Sequence, residues 1–96
     1  MRSKEQVRGQ ALSSDRFLRR DGSLSSPTLK QKVIINDFFL RLDENKAVYI
    51  KAKDIADACE CSTNLVRSVI QDLVKGGFIE VRRAFHESEY SINKKD

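Results

Sequence analysis

Residues 52–79 read AKDIADACECSTNLVRSVIQDLVKGGFI. In a helix over 52–59, Ile55, Ala56 and Cys59 share one side, while Lys53, Asp54 and Asp57 face water. Asp54 lies in the first turn, where a negative charge suits the helix dipole. A tight connection leads to Ser62, whose hydroxyl can accept a hydrogen bond from the free N–H groups of a new helix. That helix, over 62–75, lines up Val66, Val69, Ile70 and Leu73 along a buried arc. Gly76-Gly77 stops it, because glycine takes the left-handed conformation that helix ends often need.

Working outward, residues 78–83 and 87–92 alternate as two antiparallel strands, with Tyr90 and Ile92 on one face. The connection Ala84-Phe85-His86 has neither Gly nor Asn, which predicts a loop looser than a two-residue hairpin turn. Val48-Tyr49-Ile50 predicts a further short strand. Upstream, Ser26-Pro27 reads as a helix start, with Ser as the cap and Pro in the first turn. The helix predicted over 27–42 gathers Ile34, Ile35, Phe38, Phe39 and Leu42 on its core face. Leu29, Val33 and Leu40 fall on the opposite side. Three apolar residues on one line predict either ordinary surface or a contact for the N-terminal segment or a second subunit. The expected fold class is α+β, mainly α: three helices with a small antiparallel sheet.

Residues 1–26 are polar and contain the run Asp21-Gly-Ser-Leu-Ser-Ser. They read as a flexible basic leader, with Ala11, Leu12, Phe17 and Leu18 as its one cluster of larger apolar groups able to dock elsewhere. The domain is expected over 27–93, and 94–96 should fray.

The chain has 96 residues, enough for one domain with a modest core. No apolar run reaches the ~20 residues needed to cross a bilayer, and no secretory signal is visible, so the expected location is cytoplasmic. Cys59, Cys61 and the single His86 cannot supply a four-ligand zinc set, and the two thiols read as small, partly buried groups at the interhelix turn. No metal or cofactor is expected. No catalytic constellation is present either: there is one His, no nucleophile in a known motif and no phosphate-cradling glycine loop. The expectation is a protein that is not an enzyme.

Overall, 18 Lys+Arg stand against 14 Asp+Glu. Residues 1–27 hold six of the basic ones (Arg2, Lys4, Arg8, Arg16, Arg19, Arg20) against Glu5, Asp15 and Asp21, leaving 12 basic and 11 acidic for the remainder. A domain that bound nucleic acid by bulk charge alone would carry a larger excess. Any such binding must rest on where the charges sit, on a dimer, on a second protein, or on the basic leader.

The solvent arc of the 62–75 helix is where they matter. Asn64, Arg67, Ser68, Gln71 and Lys75 cluster away from Val66, Ile70 and Leu73. Arg can donate two bonds to guanine, and Asn or Gln can pair bidentately with adenine. Two helices, a tight turn and a following hairpin have the order of a helix-turn-helix with a wing. On that reading Asn64, Arg67, Ser68 and Gln71 face bases. Lys51, Lys53, Thr63 and Lys75, with Arg82, Arg83 and His86 of the wing, serve the backbone. Strand alternation puts one of the two arginines on each face, and edge protection is an equal explanation for them. Asp72, at the edge of the helix face, would repel phosphates, and Glu87 and Glu89 sit across the hairpin.

The run Asp54-Ile55-Ala56-Asp57-Ala58, then Ser62, Val66, Ile70, Leu73, Gly77 and Ile79, resembles the winged helix-turn-helix of bacterial transcription regulators, over roughly residues 28–93. Among single-domain members it is most similar to the small FaeA/PapI-like regulators of fimbrial operons. The resemblance implies a winged domain on double-stranded DNA, controlling transcription and sometimes acting with a second DNA-bound regulator. The chain departs from that pattern in its basic leader, and in Cys59-Glu60-Cys61 where a Gly-containing turn is usual. Helix-turn-helix, Gly stop and a Tyr-containing strand also resemble an RNA-binding ribosomal protein of the archaeal and eukaryotic small subunit, although its leader is richer in lysine. A winged domain used only for protein–protein contact is the remaining alternative.

Overall fold

The computed structural model describes residues 1–84 and 87–95. Its described residues form an α+β fold of four helices and two small antiparallel sheets, roughly half of it helical. In chain order these are α1 (Lys4–Leu12), β1 (Phe17–Leu18), β2 (Leu24–Ser25), α2 (Leu29–Arg41), β3 (Val48–Tyr49), α3 (Ala52–Cys59), α4 (Thr63–Lys75), β4 (Ile79–Ala84) and β5 (Glu87–Ile92). None of these helices is long and apolar enough to cross a membrane.

The central element is α2. Ile34, Ile35, Phe38 and Phe39 are buried almost completely, and α1, α3 and α4 all pack on it. Its start corrects the Ser-Pro reading. Thr28 is the cap, its hydroxyl accepting from Gln31 N while Gln31 Oε1 accepts from Thr28 N. This reciprocal capping box satisfies two helix-end donors, which a Ser26 cap would not do.

Residues 1–26 are not a separate leader in this structure, and the count of three helices becomes four. Ser3 and Gln6 form a second capping box that starts α1. Val7 and Ala11, one turn apart on that helix, are fully buried. Phe17 is fully buried too, and its strand pairs with β2 (Phe17 with Ser25, Leu18 with Leu24) around Gly22, whose φ is +85°. Burying a phenylalanine is worth about 1.5–3 kcal/mol, so this segment contributes to the core.

The second sheet has the order β3-β5-β4. One register row joins Val48, Tyr90 and Val81, and the next joins Tyr49, Glu89 and Arg82. Opposed residues of antiparallel strands point to the same face. The Tyr90 ring meets Phe38 edge-on with centroids 5.3 Å apart. The face carrying Ile79, Val81 and Tyr90 is therefore the one turned to the helices.

Arg2 closes the fold. Its guanidinium donates to the carbonyls of Gly77 (2.9 Å) and Asn93 (2.8 Å), and its backbone N–H donates to Lys94 O at 3.0 Å. Lys94 is thus tied where fraying was expected.

Candidate nucleic-acid interface

α3 and α4 meet at a short turn. Glu60 ends α3 in the left-handed conformation (φ 53°), and Ser62 caps α4 by accepting from Leu65 N at 3.1 Å. At the far end, Gly77 (φ +78°) lets Phe78 N donate to Leu73 O and Gly77 N donate to Val74 O. This paired closure of the last turn carries the chain straight from α4 into β4.

The result is a groove bounded by α4, the start of α3 and the inner face of the β4–β5 hairpin. Ile50, Ile70, Val74, Val81 and Tyr90 line it with apolar surface. Around it stand Lys51, Lys53, Arg67, Gln71, Lys75 and Arg83. All six are exposed, and none of their side chains bonds to another described residue. The one acidic side chain among the lining residues is Glu87. The groove is cationic although the domain is nearly neutral.

Most of the expected site residues are brought together here, but not all. Asn64 is exposed one turn before Arg67 and Ser68 on the same helix, and Ser68 and Thr63 are half-buried outside the groove. The two wing arginines separate. Arg83 shares the helix-facing side of the hairpin with Val81 and lines the groove. Arg82 is exposed on the other side, in a row with Glu89 and Tyr49, so the backbone role expected of it does not fit the groove. His86 lies outside the described residues.

Asp72 is not at the solvent edge of α4, as expected from the helix wheel. It is 8% exposed and accepts from Leu18 N. The β1–β2 hairpin, invisible to a wheel of α4 alone, covers it and holds its carboxylate away from the solvent face of α4.

The chain matches no protein-family model, no curated protein and no solved structure.

Two groove residues, Tyr49 (57% exposed) and Val81 (37% exposed), escaped the sequence reading. For Val81 the signal was the strand period of two, which sets it beside Arg83 on one face; Tyr49 lies in the row of Glu89 and Arg82 and borders the groove from the edge strand β3. Cys59 and Cys61 are free and half-buried at the interhelix turn. Burial pushes the Cys59 thiol pKa up, and the negative charge of Asp37 adds to it. Raised rather than lowered, that thiol is poorly suited to nucleophilic chemistry.

Proposed function

We propose that α2, β3, α3, α4 and the β4–β5 hairpin act as a winged helix-turn-helix, and that the protein is a small DNA-binding regulator of transcription. The observation that carries this reading is the groove's set of five unpartnered cations beside Gln71 on a solvent-facing helix. A single α-helix fits the major groove, where Arg67 can address guanine and Gln71 adenine. Asn64 and Ser68 extend the same face toward the start of α4. Lys51, Lys53, Thr63 and Lys75 flank the helix at positions suited to phosphates, and Arg83 presents the hairpin's charge. The local concentration of charge supports binding where the bulk balance does not.

The test is selection of genomic DNA fragments with the purified protein at two salt concentrations, followed by affinity measurements on the selected site. Arg67→Ala should weaken binding by about 1–3 kcal/mol and relax sequence preference. Arg83→Ala should weaken binding evenly across sequences and flatten the salt dependence. If no DNA is retained, or neither variant changes its binding, the reading fails. Glu87 at the rim and the exposed Tyr49 and Val81 favour a second reading, a protein-binding groove. Retention of a protein without DNA, lost on Val81→Glu, would support it.

A further inference from the structure

Leu29 and Leu40 are each 80% exposed and Val33 is 48% exposed, on a helix whose other side is fully buried. α1 packs against α2 yet leaves all three uncovered. With Asn36 they are spaced four, three and four residues apart, the interval of a coiled-coil seam. We propose that this seam is an interface between two copies of the chain, with the α2 helices antiparallel across a two-fold axis.

The order of residues along the seam gives the direction. Read from either end it begins and finishes with leucine and has Val33 and Asn36 in the middle. A two-fold axis crossing α2 between those central residues sets Leu29 of one copy on Leu40 of the other, and Val33 on Asn36. Every seam residue meets a different residue, and the relation is mutual, as a closed dimer requires. Charge agrees. Lys30 and Asp37, seven residues apart, occupy the same flank of the seam; Asp37 accepts from Arg41 Nε at 2.8 Å within its own helix, and the antiparallel arrangement brings Lys30 of the other copy to the same carboxylate.

Asn36 is the one polar residue of the seam. Its Oδ1 accepts from Arg8 Nη1 at 2.8 Å, and Arg8 is itself paired with Glu5, so α1 holds the amide in place. The Asn36 Nδ2 has no partner among the described residues.

Sedimentation equilibrium of the full chain over a range of concentrations tests this. The expected result is a concentration-dependent dimer. Leu40→Glu should weaken self-association by at least about tenfold, with the helical circular dichroism retained because the residue is exposed. Lys30→Glu and Asp37→Lys should each weaken it, and the double variant should recover most of the loss. A wild-type monomer at every concentration overturns the proposal, as does a dimer indifferent to Leu40→Glu. Failure of the double variant to recover overturns the antiparallel direction. A seam that instead captures a different protein leaves this chain monomeric and gives the first of these negative results.

Discussion

Asp72 Oδ2 accepts a hydrogen bond at 3.2 Å from the backbone N–H of Leu18, 54 residues earlier in the chain. A side chain of the candidate recognition helix thereby supports the N-terminal hairpin from within the protein. Asp72→Ala leaves that N–H without its acceptor in a partly buried place, at a cost of about 1–3 kcal/mol. Asp72→Asn keeps an acceptor oxygen and should lose less. Urea unfolding of the three proteins measures the order, and equal midpoints would show that the bond contributes nothing.

The N-terminal segment is expected to unfold together with the rest. Phe17 and Val7 are both fully buried. Phe17→Ala should cost about 3–5 kcal/mol through lost burial and the cavity it leaves. Thermal melts followed by circular dichroism should show one transition at a lower temperature. A normal melt would return residues 1–26 to the status of a leader.

Two residues adopt the left-handed backbone at helix ends, and only one is glycine. Glu60 has φ 53° and Gly77 has φ +78°. Glu60→Gly should stabilise the chain by about 1 kcal/mol by relieving the Cβ contact with the backbone, and Gly77→Ala should destabilise it by a similar amount. Denaturant midpoints measured side by side give both signs.

The two neighbouring arginines of β4 should behave differently. Arg83 lines the groove, whereas Arg82 sits in the row of Glu89 on the far side. Arg82→Ala should leave affinity for a selected DNA site within about twofold, while Arg83→Ala lowers it through a lost phosphate contact. Fluorescence anisotropy separates them, and a larger loss for Arg82→Ala would mean that the hairpin presents its other face.

Cys59 should resist alkylation in the native protein. Its pKa is raised, chiefly by burial, so the native state holds the thiol proton more tightly than the unfolded chain does. The associated stability is complete below the ordinary thiol pKa and is lost as the pH rises through the raised value. Iodoacetamide labelling read by peptide mass should therefore need a higher pH at native Cys59 than in the denatured chain. Matching pH profiles would remove the burial argument.

The elements most legible in the sequence were those with a strong repeat and clear ends. α3, the Ser62 cap and the Gly76-Gly77 stop were readable because apolar spacing and end chemistry agree there. α1 was not, because only Val7 and Ala11 mark its buried side and Gly9 lies between them. Its signal was Ser3 followed by Gln6, the same pattern that sets Thr28 with Gln31 at the true start of α2. Asp21-Gly22 likewise signals a hairpin turn, but its serine-rich surroundings read as linker. At the candidate site, a helix wheel selects Arg67, Gln71 and Lys75 directly. It cannot say which hairpin arginine joins them, because that depends on Tyr90 meeting Phe38 across the sheet.

The bonds from Arg2 to Gly77, Asn93 and Lys94 also impose a timetable. Synthesis presents Arg2 before any of the helices, whereas two of its acceptors emerge only after β5 has been made. The helices can collapse around Phe38 earlier, through contacts much closer in sequence. Arg2, made 91 residues before Asn93, is therefore among the last of these side chains to lock, and the hairpin gains its tether to the segment before α1 only when the rest of the fold is in place.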